Sequence, residues 1–69
     1  MKLTPAQEKT LRLLVTGGAR VFWNRYQPIV TLVAAEFARV AHPGKWDHST
    51  YEATDAGRAW LAEKDKATP

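Results

Sequence analysis

The chain has 69 residues and no cysteine, so it can hold one small domain without disulfides or thiolate metal sites. Hydrophobic residues at 45% and charged residues at 25% are typical of an ordinary globular chain and exclude an intrinsically disordered one. The net charge of +3 favours polyanionic partners mildly, and without a membrane-length apolar run or a signal-peptide core we expect a cytoplasmic protein that enters no membrane.

The first helix is predicted over residues 5–16. Thr4 can cap the exposed N–H of Gln7, the Gln7 side chain can reach back, and Pro5 suits the first helical position. Apolar residues then recur on one side at helical spacing, at Leu3, Leu11 and Leu14. Gly17-Gly18 favours the end of the helix, because glycine accepts the left-handed conformation that often follows one.

Residues 19–23 are β-branched and aromatic enough to predict a short strand, followed by a turn over residues 24–27. In a strand, Phe22 and Trp23 would point to opposite faces, so we expect one of them to be exposed. From Pro28 the apolar residues again recur at helical spacing, which predicts a second helix over residues 28–36.

Residues 37–42 allow two interpretations. The helical spacing could continue as far as His42, just before Pro43-Gly44. We prefer a hairpin with the loop 43–48, because it separates apolar from charged residues on two faces. The expected cross-strand pairs are His42 with Ser49, Val40 with Tyr51, Arg39 with Glu52 and Ala38 with Ala53.

The last helix is predicted to begin after Thr54, a natural N-cap, with Asp55 placed where the helix dipole favours a negative charge. The charged end of the chain, residues 64–69, is expected to fray. The predicted core consists of Leu11, Leu14, Val21, Ile29, Leu32, Val33, Val40, Tyr51 and Trp60.

The stretch from Ser49 to Leu61, in which alternating strand residues run into a capped helix, resembles the closing half of a winged-helix DNA-binding domain. Residues 32–40 resemble the end of that family's recognition helix and its first wing strand, so the resemblance covers roughly residues 28–62. It implies a single α+β domain over residues 1–69, in the order helix, strand, helix, strand, strand, helix, with a small antiparallel sheet. Residues 17–27 are too few for the second helix that the family usually carries, so this version is trimmed.

The resemblance implies a small DNA-binding protein, of the kind found among bacterial or phage transcriptional regulators, which binds double-stranded DNA through helix 28–36 and the 43–48 wing. Glutamine and threonine hydrogen-bond base edges, and cations neutralise phosphates. The candidate DNA-binding residues are Arg20, Arg25, Gln27, Thr31, Lys45, Trp46 and His48. Residues 27–36 contain no Lys or Arg, which predicts weak binding unless a homodimer doubles the number of cations.

A protein-interaction module on the same scaffold is the main alternative, such as a phage-encoded inhibitor of a host protein complex. Small residues allow close helix approach, and exposed aromatic side chains are common binding anchors. The candidate residues for this alternative are Phe22, Trp23, Tyr26, Ala34, Ala35 and Trp46.

Enzymatic and metal chemistry are not expected. His42, Asp47 and His48 are too weak a pattern for a metal site, and an ordinary hairpin explains them better. The sequence carries no Ser-His-Asp order, phosphate loop or nucleotide fingerprint, so we predict neither catalysis nor a cofactor. Arg39 is expected to pair with Glu52 across the hairpin and not to contact phosphate.

Overall fold

The computed structural model describes residues 2–67, which form an α+β fold with three helices and one three-stranded antiparallel sheet. The elements are α1 (Pro5–Gly17), β1 (Arg20–Trp23), α2 (Gln27–Ala34), β2 (Ala38–Pro43), β3 (His48–Ala53) and α3 (Asp55–Ala67). Both the fold class and the predicted order of elements are confirmed.

The predicted capping box opens α1. The backbone N–H of Gln7 donates to the Thr4 hydroxyl at 3.3 Å, and the N–H of Thr4 donates to the Gln7 side-chain oxygen at 2.9 Å. At the other end Gly18 adopts a φ of 80°, which glycine accepts without steric strain. The first N–H groups of an α-helix have no partner within the helix, and the Thr4 hydroxyl accepts one of them.

The segment after α2 turns into a strand, so the continuous helix to His42 is excluded. The helix ends at Ala34, and Glu36 takes a left-handed φ of 64° that breaks the helical path. The Phe37 N–H donates to the Leu32 carbonyl at 2.8 Å as the chain leaves the helix. The second helix therefore ends two residues earlier than predicted.

The strands lie in the order β1-β3-β2. Three predicted pairs of the hairpin are confirmed, namely Ala38 with Ala53, Arg39 with Glu52 and Val40 with Tyr51. The fourth is wrong, because a bulge between Val40 and His42 shifts the register by one residue. His42 is paired with Thr50, and Ser49 with Pro43.

The core lies between the helices and the inner face of the sheet. Leu11, Leu14, Ile29, Leu32 and Tyr51 are buried as predicted, and Trp60 is half-buried and packs against them. The prediction was wrong for Val21, Val33 and Val40, which are exposed. Val21 is exposed because it pairs with Thr50 on the outer face of the sheet, and Val33 because it lies on the outer side of α2. Val40 lies on the edge strand β2, beside the bulge. Small residues fill the space instead, with Ala38, Ser49 and Ala53 buried.

Thr54 caps α3 as predicted, since the Gly57 N–H donates to its hydroxyl at 3.1 Å. The Thr54 hydroxyl and N–H in turn donate to the carbonyls of Glu36 and Phe37, which ties the helix start to the start of β2. Gly57 is buried at this crossing, where a Cβ would lie 2.3 Å from the Phe37 carbonyl oxygen. The close approach therefore depends on the absence of a side chain.

Residues 64–67 were expected to fray, but they belong to α3. An ion-pair cluster links this part of α3 to α1, in which Arg12 contacts Asp65 through two hydrogen bonds of 3.0 Å and Lys64 contacts Glu8. These contacts hold the last turns of the helix against the first helix. The part of the prediction that concerns residues 68 and 69 lies outside the described residues.

Candidate nucleic-acid interface

The turn between β1 and α2 lies beside the tip of the β2–β3 hairpin. Trp23 is paired with His48, and the Asn24 N–H donates to the Asp47 carbonyl at 2.6 Å. The Tyr26 N–H donates to the Trp23 carbonyl at 2.9 Å, which brings the start of α2 to the same end of the sheet. We call this region the hairpin-tip surface and define it as Trp23, Arg25, Gln27, Lys45, Trp46 and His48.

An aromatic group beneath this surface fixes the turn. Phe22 stacks on Tyr26 with ring centroids 5.8 Å apart and contacts Tyr51 at 6.4 Å. The Tyr51 hydroxyl lies 2.8 Å from the side-chain oxygen of Asn24 and donates to it. Sequence reasoning placed Tyr51 in the core but missed its polar contact. The available signal was Asn24 itself, because asparagine in a turn commonly uses its side chain for a hydrogen bond.

The candidate cations divide between two ends of the molecule. Arg25 and Lys45 lie on the hairpin-tip surface, and neither makes an ion pair within residues 2–67. Arg20 starts β1, three residues from Trp23 and hence about 10 Å away along the strand, and its guanidinium folds over Gly17. Arg39 pairs with Glu52, as expected. Of the three candidate DNA-binding cations, Arg25 and Lys45 therefore lie at the hairpin-tip end of the sheet, and Arg20 lies at the other end of β1.

The outward side of α2 is uncharged. Gln27 and Ala34 are exposed, whereas Thr31 and Ala35 are half-buried, and the Gln27 side-chain amide lies 3.5 Å from the Thr31 hydroxyl. Two valines that were not predicted to face outward, Val30 and Val33, are also exposed on this helix. The outward side of α2 thus presents the Gln27 amide and the half-buried Thr31 hydroxyl among apolar groups.

The aromatic candidates differ in their exposure. Trp46 at the tip is 90% exposed, Trp23 on the outer face of β1 is 47% exposed, and Tyr26 is 40% exposed. Phe22 points inward, which confirms that it and Trp23 lie on opposite faces of the strand. Trp46 also holds a left-handed φ of 56°, a conformation that costs an L-residue about 1–2 kcal/mol.

The ion-pair cluster between α1 and α3 is a second concentration of charge, and it is structural. Lys64 and Arg12 hold the pKa of the Glu8 carboxyl below its ordinary value, and Arg12 does the same to the pKa of Asp65. Since each cation there already has a carboxylate partner, the cluster offers little to a polyanion. It joins the two helices and lies outside the hairpin-tip surface.

Within residues 2–67, no group of three or more His, Asp or Glu side chains is arranged to hold a metal ion. No helix over the same residues has the length and apolar character needed to cross a membrane. No protein-family model matches the chain, and neither a curated protein nor a solved structure shows significant similarity to it.

Proposed function

We propose that the chain is a small DNA-binding protein that contacts its ligand through the hairpin-tip surface. The observation that carries the proposal is the contact between the β1–α2 turn and the hairpin tip, through the 2.6 Å hydrogen bond from Asn24 to Asp47. It brings Arg25, Gln27, Lys45 and two exposed tryptophans to one end of the molecule. Lysine and arginine neutralise phosphates, and glutamine can contact adenine with both polar atoms of its amide.

The binding should be weak for each monomer. Arg25 and Lys45 would each contribute about −0.9 to the slope of log affinity against log salt concentration on a duplex. Asp47 adds one negative charge at the tip, and α2 adds no cation. In this proposal the remaining affinity comes from aromatic contacts or from a second copy of the chain. The resemblance to a trimmed winged helix, and a role as a bacterial or phage transcriptional regulator, stay predictions.

Fluorescence anisotropy with a labelled duplex at low salt tests the proposal. We expect wild-type protein to bind and the double variant Arg25→Ala/Lys45→Ala to lose most of that affinity. The matched control is Lys9→Ala/Lys66→Ala, which removes the same charge from α1 and α3 and should lose much less affinity in the same assay. Absence of wild-type binding, or equal losses in the two double variants, would contradict the proposed surface.

A second candidate function is binding to another protein, and the apolar outward side of α2 favours it. Tyr26, Val30, Val33 and Ala34 recur at helical spacing on exposed positions. Substituting Val30 and Val33 with serine should leave DNA binding unchanged and abolish capture of a protein partner. Sedimentation of the purified chain would separate self-association from binding to a different protein.

A further inference from the structure

Trp46 is the most exposed large hydrophobic side chain among residues 2–67. Its side chain is 90% exposed, and it makes no ring-to-ring contact within the described part of the chain. By contrast Trp60 packs against Phe37 with centroids 5.9 Å apart, and the Lys64 ammonium lies 5.4 Å from its ring. A large indole exposed to solvent, at a left-handed φ that is strained for tryptophan, is a candidate ligand contact.

The surroundings of Trp46 indicate the chemistry of that ligand. Lys45 precedes it, and the Asn24–Asp47 hydrogen bond brings Arg25 to the same tip. Trp23, which is paired with His48 on the adjoining outer face, supplies a second, partly exposed indole. Aromatic rings interleaved with cations suit single-stranded nucleic acid, because rings stack on base faces while cations follow the phosphates.

A closed duplex would leave this ring unused. Its grooves present base edges, and the base faces are covered by their neighbours in the stack. The uncharged outward side of α2 also lacks the cations that would hold the helix against the phosphates of a major groove. Both features favour a ligand whose bases are already out of the stack.

We propose that Trp46 stacks on an unpaired nucleobase, so that the hairpin-tip surface binds single-stranded or forked DNA in preference to a closed duplex. This inference rests on the proposed DNA-binding function and specifies its ligand. Lys45 and Arg25 would contact the phosphates on either side of the stacked base. The Trp23 indole would stack on one further unpaired base.

The test compares three labelled oligonucleotides of equal length by anisotropy: a single strand of thymidines, a closed duplex, and a duplex that ends in an unpaired fork. We expect wild-type protein to bind the single strand and the fork at least about tenfold more tightly than the duplex. Trp46→Ala should weaken binding to the single strand about 5- to 150-fold, the range for loss of one stacked base. It should weaken binding to the closed duplex less, because a duplex offers the ring no free base face.

Trp46→Phe is the matched variant, because it keeps an aromatic ring and should retain most of the preference for unpaired bases. Neither substitution touches the core, so both variants should melt at the wild-type temperature. Duplex binding as tight as single-strand binding, or a Trp46→Ala variant that binds the single strand normally, would overturn the inference and leave the proposed function standing. Failure of wild-type protein to bind any of the three oligonucleotides would overturn both.

Discussion

Replacing Gly57 with alanine sets two effects of opposite sign against each other. In an exposed helix interior the change stabilises by about 1 kcal/mol, because alanine loses less backbone freedom on folding. In α3, however, the new Cβ would lie 2.3 Å from the Phe37 carbonyl oxygen and 3.0 Å from Leu11 Cδ1. Both neighbours are held in place, since the Phe37 carbonyl accepts the Thr54 N–H at 3.0 Å and Leu11 is fully buried.

The clash should outweigh the gain in helix propensity. Overpacking a core costs about 1–3 kcal/mol, and losing the Thr54–Phe37 hydrogen bond costs about 1 kcal/mol more. After the propensity gain is subtracted, Gly57→Ala should destabilise by about 1–3 kcal/mol, out of about 3–10 kcal/mol expected for a chain of this length. The melting temperature should therefore fall by at least about 4 °C.

Urea denaturation followed by far-ultraviolet circular dichroism measures the difference. Gly17→Ala is the control, because its Cβ would meet only the Arg20 side chain, at 2.8 Å, and that side chain can move away. We expect the control to be as stable as wild type or slightly more so. A Gly57→Ala protein with wild-type stability would refute the close packing of α3 against the start of β2.

Three further predictions concern the ion pairs and the turns. Glu8 and Asp65 have lowered pKa values in the folded state, mainly through Lys64 and Arg12 respectively, so the folded protein binds fewer protons there than the unfolded one. Their contribution to stability is complete above the unfolded pKa of about 4 and is lost as the pH falls through the lower pKa values of the folded state. The melting temperature should therefore decrease on the acid side, and Lys64→Met should make that decrease smaller. An unchanged pH profile would count against the ion pair between Lys64 and Glu8. Glu36→Gly should stabilise by about 1 kcal/mol in thermal melts, since glycine accepts the φ of 64° freely, whereas Glu36→Ala should not. Tyr51→Phe should destabilise by about 1 kcal/mol in urea by removing the hydrogen bond to Asn24, and no change would mean that the bond does not form.

Local signals in the sequence predicted most of the fold. The caps at Thr4 and Thr54 and the glycines at the end of α1 act through neighbouring residues, so they can be recognised without knowing the tertiary structure. The hairpin register was predicted from cross-strand pairing and is correct over three pairs. The bulge beside Val40 was not predicted, because only His42 and Pro43 follow it in the strand, too few residues to show a break in the alternation.

The core and the interface were harder to predict because both depend on which face of an element meets its neighbours. Val21, Val33 and Val40 are apolar enough for a core, yet Ala38, Ser49 and Ala53 occupy the limited space between the sheet and the helices. The grouping of Arg25 with Lys45 at one end of the sheet follows from the hydrogen bond between Asn24 and Asp47. That hydrogen bond joins residues 23 positions apart in the chain, and no short sequence motif predicts it.

The location of DNA binding can be read most directly from ¹H–¹⁵N NMR spectra recorded while a short single-stranded oligonucleotide is added. We predict that shifts concentrate in residues 23–27 and 44–48, and that the indole N–H signals of Trp46 and Trp23 move while that of Trp60 stays in place. Shifts that instead follow Val30 to Ala34 or the outer surfaces of α1 and α3, or no shifts at millimolar DNA and low salt, would contradict the hairpin-tip surface as a DNA-binding site.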